Sequence, residues 1–170
     1  MADPENTLVI ELKDGARVVV EMLPAVAPKH VERVKALARA GEYDNVAFHR
    51  VIDGFMAQTG DVANGDMEND INIRRAGTGG SDKPDLPAEF STQPFEKGTV
   101  GMARSMDPNS ANSQFFIMFA PAPHLDGQYT VVGKVIAGQE VVDAIKRGDG
   151  ANGTVSDPDW MAKVRVKADG

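Results

Sequence analysis

The sequence predicts a mainly β domain, because short alternating segments outnumber helical ones and are separated by glycine and proline. Strand patterns recur along the chain at residues 8–12, 16–22, 46–52, 99–103, 114–119, 129–136 and 161–167. Two isolated segments carry helical spacing instead. A closed antiparallel β-barrel capped by two α-helices is one economical arrangement, since closure removes the strand edges. An open α+β sheet would give a similar pattern, so periodicity leaves closure undecided.

The first two strands are predicted to form a hairpin. Leu8 to Leu12 and Ala16 to Met22 both alternate apolar and polar residues, with Asp14-Gly15 between them. Asp-Gly in this setting predicts a two-residue turn with both residues at positive φ.

The first helix is predicted to begin at Pro28, whose missing N–H is not needed there, and to end before Gly41. Its inner face is marked by Val31, Val34 and Ala38. The second helix is expected to run from Gln139 to Arg147, with Gly148 ending it.

Two of the three histidines occupy predicted elements. His30 lies on the first helix and is expected to be solvated. His49 precedes Arg50 in a predicted strand, so the two side chains point to opposite faces, and His49 is expected to be structural.

Composition limits the class of protein. The chain has 170 residues, a formal net charge of -7 and no cysteine. One domain over residues 1–170, with a core of roughly 8–166, is expected. The charge argues against general nucleic-acid binding, and the missing cysteine excludes disulfides and thiolate chemistry. No apolar run approaches the roughly 18 residues of a membrane helix, and the first residues do not resemble a signal peptide. We expect a cytoplasmic monomer.

Two segments carry the candidate chemistry, residues 48–61 and residues 109–117, the latter followed by His124-Leu125-Asp126-Gly127. Both closely resemble the signature segments of cyclophilins, and further matching blocks fall in the same order at residues 77–80, 89–90, 98–103 and 132–135. The resemblance spans roughly residues 8–166 and is strongest to the bacterial single-domain branch. It implies a closed barrel of about eight strands with two capping helices. It also implies peptidyl-prolyl cis-trans isomerase activity in protein folding, without a cofactor or a metal.

The residue types fit that chemistry on physical grounds. Rotation about a peptide bond faces a barrier of ~18–20 kcal/mol, and the prolyl nitrogen becomes pyramidal as conjugation is lost. An enzyme needs an apolar slot for the ring, polar anchors for the peptide and a donor aimed at the developing lone pair. Arg50 is the donor candidate, because a guanidinium is always charged and presents a rigid fork of N–H groups.

The resemblance assigns the other site residues. The catalytic set is Arg50, Phe55, Gln58 and Phe116, and the substrate-binding set is Met56, Ala103, Arg104, Gln114, His124, Leu125 and Tyr129. Strand alternation separates the two neighbouring phenylalanines, so Phe115 is expected inside the barrel and Phe116 in the groove.

Other functions compete with isomerisation as interpretations of this sequence. A proline-peptide binding module or chaperone with little turnover would use the same groove. A barrel that stores a small apolar ligand is disfavoured by bulky inward residues such as Phe115. The sequence has no Gly-x-Ser-x-Gly elbow of a hydrolase. Asp61 and the polar residues up to Asp70 lack the spacing of a calcium loop, which favours a solvated loop.

Three positions depart from the common cyclophilin pattern. His124 stands where many relatives carry tryptophan, Tyr129 where many carry histidine, and Arg104 where asparagine is common. We expect proline-containing peptides and unfolded or folded protein clients as partners. The absence of the tryptophan predicts weak binding of cyclosporin.

Overall fold

The computed structural model describes residues 3–68 and 75–169, and within these ranges it contains nine β-strands and two α-helices. The strands are β1 (Thr7–Leu12), β2 (Arg17–Met22), β3 (Val46–Ala47), β4 (Arg50–Ile52), β5 (Met56–Thr59), β6 (Thr99–Met102), β7 (Phe115–Met118), β8 (Val131–Ala137) and β9 (Trp160–Val166). The helices are α1 (Pro28–Arg39) and α2 (Gln139–Asp143). The mainly β class predicted from the sequence is confirmed. Asn69 and Asp70, weighed above as part of a calcium loop, lie outside the described residues.

The hairpin of β1 and β2 forms as predicted, with Leu8 opposite Val20. Its turn is longer than expected, because the N–H of Leu12 donates to the carbonyl of Ala16 at 2.8 Å and encloses three residues. Of these, only Gly15 has a positive φ, of 88°. A three-residue turn needs the left-handed conformation at one position only, and glycine occupies it without a steric cost.

The nine strands form one sheet, in the order β3-β9-β1-β2-β8-β6-β7-β5-β4, with every neighbouring pair antiparallel. The sheet is strongly curled and open, so the expected closed barrel of about eight strands is wrong. The reason lies in the segment 46–52, which was predicted as one strand. The structure divides it at Phe48 and His49. The first half pairs with β9 and the second with β5, and in residues 3–68 and 75–169 each half has a strand of the sheet on one side only.

The curl of the sheet is filled by side chains. Phe115 is buried in the larger apolar cluster and packs edge-on against Tyr43, with ring centroids 5.4 Å apart. Phe116 belongs to a second, smaller cluster on the other face, together with Met56 and Leu125. The predicted alternation of the two phenylalanines is therefore confirmed.

Helix α1 begins at Pro28 as predicted, but its first N–H groups are capped from a distance. Ala27 precedes the helix and offers no side-chain cap. Instead the carboxylate of Glu89 accepts the N–H of Lys29 at 3.3 Å and that of His30 at 3.0 Å. The His30 ring is fully buried with Nδ1 against the same carboxylate, so its expected solvation is wrong. Burial lowers the pKa of His30, and a neutral ring protonated at Nδ1 can donate to Glu89.

Helix α2 is shorter than expected and ends at Asp143 rather than Arg147. Beyond it, Arg147 folds back, and its Nη1 donates to the carbonyls of Asp143 and Ile145, both at 2.7 Å. These contacts satisfy carbonyls that a longer helix would have used internally. In the ranges described, no helix reaches the length and apolar content needed to cross a membrane.

His49 is buried, as expected of a structural histidine, with 4% of its surface exposed. Neither ring nitrogen makes a hydrogen bond of normal geometry within the described part of the chain. Burial lowers the pKa of His49 to about 4, because the charged ring would lose its hydration. The ring is therefore neutral in the folded protein near neutral pH.

Phe115→Ala is expected to lower the free energy of unfolding by about 3–5 kcal/mol, because it leaves a cavity in the larger cluster. Urea unfolding followed by circular dichroism measures this change. Phe90, which is 46% exposed, provides the matched control, and Phe90→Ala is expected to change stability by less than about 0.5 kcal/mol. Equal losses in the two variants would contradict the burial of Phe115.

His49 is expected to make the protein less stable as the pH falls from about 6.5, the pKa in the unfolded chain, to about 4, the pKa in the fold. Protonation favours the unfolded state across this window, by up to about 3 kcal/mol at its lower end. The test compares urea unfolding of the wild type and of His49→Leu between these pH values. The variant should show the smaller loss, and parallel curves would contradict the prediction.

Candidate active site

Arg50 is the first residue of β4, at the edge of the sheet. Its Nε donates to the backbone carbonyl of Asn152 at 2.8 Å, and its Nη1 donates to Oε1 of Gln58 at 3.2 Å. A guanidinium carries five N–H donors. Two are used in these contacts, which leaves three without a partner within residues 3–68 and 75–169. These three N–H groups are available to a ligand.

The hydrogen bond between Arg50 and Gln58 continues into a series that includes a second glutamine, Gln114. Nε2 of Gln58 donates to Oε1 of Gln114 at 2.9 Å. Nε2 of Gln114 donates in turn to the carbonyls of Gly77 and Gly79, both at 2.9 Å. The series sets the orientation of both amides, because each accepts on one side and donates on the other. No carboxylate takes part in it.

Asp61 supports the far end of this series. Its carboxylate is fully buried and accepts the N–H of Gly77 at 2.7 Å and that of Gly79 at 2.9 Å. It also accepts the N–H groups of Ala63 and Asn64. The interpretation of Asp61 as part of a solvated loop is therefore wrong. Four backbone N–H donors compensate for the loss of hydration around the carboxylate. The sequence does not reveal these donors, because it shows Asp61 only as an acidic residue in a polar segment.

A cavity of about 200 Å³ opens beside Arg50, and we call it the ring slot. Its lining consists of Arg50, Phe55, Met56, Gln58, Ala103, Arg104, Phe116, Leu125 and Tyr129. All nine residues were named from the sequence. The strands β4, β5 and β7 supply Arg50, Met56, Gln58 and Phe116, a short 3-10 turn supplies Leu125, and loops supply the rest. The structure thus gathers residues that lie up to 79 positions apart.

Phe116 is held in the ring slot by two other aromatic rings. Phe95 stacks against it with ring centroids 5.8 Å apart, and Tyr129 meets it edge-on at 5.8 Å. Gly101 makes this stack possible, because a Cβ there would lie 2.6 Å from the Phe95 ring and 2.7 Å from that of Phe116. Asp126 fixes Phe95 by accepting its backbone N–H at 2.7 Å. Sequence reasoning missed Phe95, which lies in a segment with no strand or helix pattern.

Arg104 lies on top of Tyr129, with its guanidinium carbon 4.4 Å from the ring centroid. Its Nε and Nη2 donate to the carbonyl of Gln128, and its Nη1 donates to the carbonyl of Ser105. These contacts hold the Arg104 guanidinium against the backbone of Ser105 and of Gln128. Arg104 therefore acts here as a wall of the ring slot, through a stacked cation.

A second cavity, of about 650 Å³, adjoins the ring slot. Gln58, Ala103 and Arg104 line both cavities, so together they form one groove. The second cavity is built mainly from residues 77–85 and 103–114, and Gln114 lines it without reaching the ring slot. A peptide lying in the groove can place neighbouring side chains in the two cavities.

His124 lies at the rim rather than in the ring slot. It belongs to the short 3-10 turn Pro123–Leu125, and its ring faces Phe55 with centroids 5.9 Å apart. The turn places Leu125 inside the ring slot and leaves His124 exposed.

The ring slot offers the two cations of Arg50 and Arg104, the neutral amide of Gln58 and apolar side chains. Its lining contains no aspartate, glutamate, cysteine or histidine. In the part of the chain that the structure describes, no group of three such side chains could hold a metal ion. The arrangement fits the binding of an uncharged, partly apolar segment and the stabilisation of charge that develops on it.

Comparison with known proteins places this geometry in a family. The family described as cyclophilin type peptidyl-prolyl cis-trans isomerase/CLD matches residues 7–167. A protein of Brucella suis named a probable peptidyl-prolyl cis-trans isomerase is 61% identical over 169 residues, which cover 99% of this chain and 86% of that protein. Peptidyl-prolyl cis-trans isomerase B of Bacillus subtilis is 37% identical over 139 residues, covering 81% and 89% of the two chains.

Solved structures agree with the sequence relatives. A cyclophilin from Hirschia baltica superposes with a TM-score of 0.82 at 26% identity, covering 99% of this chain and 76% of that one. A cyclophilin type peptidyl-prolyl cis-trans isomerase from Cryptosporidium parvum, crystallised in the presence of the dipeptide Ala-Pro, superposes with a TM-score of 0.78 at 25% identity. That superposition covers 94% of this chain and 98% of the other. Because the family match covers nearly the whole chain and the relatives align over most of their own length, this chain belongs to the cyclophilin-type peptidyl-prolyl cis-trans isomerases.

Proposed function

We propose that this chain accelerates rotation about X-Pro peptide bonds, in peptides and in protein clients, by non-covalent stabilisation of the twisted amide by Arg50. One observation carries the proposal: a fixed guanidinium keeps three N–H groups available in a slot that is also lined by Met56, Phe116 and Leu125. The names of the relatives, and the Ala-Pro dipeptide used with the Cryptosporidium protein, support a proline-containing substrate.

The proposed chemistry follows from the twisted state of the amide. As the bond rotates, the prolyl nitrogen loses conjugation and gains a lone pair that accepts a hydrogen bond. A donor aimed at this nitrogen binds the twisted state more strongly than the planar one, which is the condition for acceleration. Lowering the barrier by ~7 kcal/mol would give a rate increase on the order of 10⁵. A preorganised cation in a site that excludes water is a strong source of such stabilisation.

The ring slot would hold the proline ring against Phe116, Met56 and Leu125, which belong to one buried cluster. Of the two glutamines, Gln58 is the better candidate for a contact with the peptide. Both amide hydrogens of Gln114 already donate to glycine carbonyls, whereas Gln58 uses one of its two. In this proposal Gln114 supports Gln58 and does not bind the peptide itself.

A binding module with little turnover remains the second function to test, because it would use the same ring slot. The fixed orientation of Arg50 favours catalysis, since binding a proline ring alone does not need an oriented cation. An isomerisation assay on a proline tetrapeptide separates the two functions. Tight binding without acceleration would favour the binding module.

Arg50→Ala is expected to fold normally and to lose 10²–10³-fold in turnover, about 3–4 kcal/mol of stabilisation of the twisted state. Arg50→Lys should recover little, because a single ammonium cannot hold Gln58 and Asn152 while donating to the substrate. The measurement is the isomerisation rate, with circular dichroism as the check of folding.

Arg17 provides a matched control for the removal of a positive charge, because its side chain is 67% exposed on β2 and forms a surface ion pair with Glu11. Arg17→Ala should leave turnover unchanged. Near wild-type turnover in well-folded Arg50→Ala would refute the assignment of Arg50.

Cyclosporin is expected to bind weakly to this chain while proline peptides are still turned over. The exposed imidazole of His124 offers less apolar area at the rim than an indole, and each Å² lost costs roughly 25 cal/mol. Loss of the indole N–H removes about 1 kcal/mol more. Calorimetric titration should show tighter binding for His124→Trp than for the wild type, with similar turnover. Tight binding by the wild type, or no gain in the variant, would mean that another residue sets drug affinity.

A further inference from the structure

We propose that the loop of residues 148–156, which we call the edge loop, positions the guanidinium of Arg50 through the left-handed backbone of Asn152. The inference rests on the proposed function of Arg50 and adds a positioning residue to it. Nothing in the sequence patterns singles out this loop, which follows α2 and was expected only to end that helix.

The edge loop lies along the free side of β4. The N–H of Gly148 donates to the carbonyl of Val51 at 2.8 Å, and that of Val155 donates to the carbonyl of His49 at 3.1 Å. Between these contacts, Arg50 and Thr154 form an isolated antiparallel bridge. The loop therefore takes the place of a neighbouring strand at the point where the sheet is open, and it does so on both sides of Arg50.

The shape of the edge loop is fixed by its own hydrogen bonds. The carbonyl of Thr154 accepts the N–H of Asp149 at 3.1 Å and that of Gly150 at 2.9 Å. The carboxylate of Asp149 accepts both the N–H and the hydroxyl of Ser156, at 3.1 and 2.6 Å. These contacts join the two ends of the loop and leave residues 151–153 at its tip.

The tip turns through two consecutive left-handed residues. Asn152 has φ 56° and ψ 23°, and Gly153 has φ 82°. Gly153 cannot carry a side chain, because a Cβ would lie 2.6 Å from Cγ1 of Ile52. Asparagine is among the few residues with a side chain that adopt this conformation at little cost. In the described residues, its side chain forms no hydrogen bond, so the contribution of Asn152 lies in its backbone.

The carbonyl of Asn152 is the acceptor for Nε of Arg50. Gln58 holds the guanidinium at a second nitrogen, Nη1, so the two contacts together restrict the rotation of the planar group. If Asn152 moved to an ordinary backbone conformation, its carbonyl would turn away from Nε. Gln58 alone would then hold the guanidinium, and the remaining N–H groups would sample directions that miss the prolyl nitrogen.

The test compares substitutions that differ in their tolerance of positive φ. Asn152→Val is expected to lower kcat by about 10–100-fold, because a β-branched residue resists the left-handed region and a shift near 1 Å at a catalytic group has this effect. KM should change by less than about threefold, because the apolar side chains of the ring slot are untouched. Asn152→Gly, which adopts positive φ readily, should restore most of kcat.

Asn45 is a matched control, because it is the other non-glycine residue with positive φ in the described ranges, at 65°. Asn45→Val introduces the same kind of strain away from Arg50 and should leave kcat unchanged. Equal losses of kcat in Asn45→Val and Asn152→Val would overturn the inference, because strain alone would explain them. If Asn152→Val does not fold, the comparison of Asn152→Ala with Asn152→Gly decides, with the same order expected.

A double mutant separates this inference from the proposed function. Asn152→Val in the Arg50→Ala background should cause no further loss of kcat, because the group it positions is gone. If Arg50→Ala is inactive while Asn152→Val retains wild-type kcat, only the inference on Asn152 fails. If Arg50→Ala retains wild-type kcat, the proposed function of Arg50 fails with it.

Discussion

The guanidinium of Arg50 is held entirely by uncharged acceptors, an amide oxygen on one side and a backbone carbonyl on the other. A carboxylate in either place would hold the arginine as firmly but would neutralise the field that a developing lone pair needs. Much of the surrounding structure keeps Arg50 in contact with these uncharged acceptors. Gln114 and the glycine carbonyls hold Gln58, and the one carboxylate of this network, Asp61, lies at its far end.

The open edge of the sheet is also connected with the position of Arg50. Unpaired edges usually invite aggregation, and proteins cover or interrupt them. Here the division of the segment 46–52 leaves β4 at an edge, and a loop from the C-terminal part of the chain covers it. A loop with left-handed residues can present a carbonyl in a direction that a regular ladder cannot. The gap between β3 and β4, where the sheet is open, thus leaves room for a contact with Arg50, the first residue of β4.

Local patterns predicted the features that depend on neighbouring residues. The hairpin of β1 and β2, the start of α1 at Pro28 and the opposite faces of Phe115 and Phe116 all follow from spacing within one element. The residues of the ring slot came from resemblance to a family. The burial of His30 and Asp61 was missed, because each is compensated by partners distant in sequence or by loop N–H groups that carry no side-chain signature. The opening of the sheet was missed for the same reason, since it depends on how the two halves of one apolar run pair with different strands.

Helix α1 is capped by a residue distant in sequence, so its stability depends on the docking of another part of the chain. The helix has no local residue to satisfy its first N–H groups, and the carboxylate that does so lies 59 positions beyond His30. A peptide containing only the helix would fray at its first turn, because short helices are marginal in water even when capped. The helix therefore gains its full stability only after the segment around Glu89 has docked. Glu89 is itself tied to the residue that precedes β8, because its backbone N–H donates to the hydroxyl of Thr130 at 3.0 Å. Cooperativity in this fold thus depends partly on a single residue, Glu89, whose carboxylate caps α1 and whose backbone N–H binds the residue before β8.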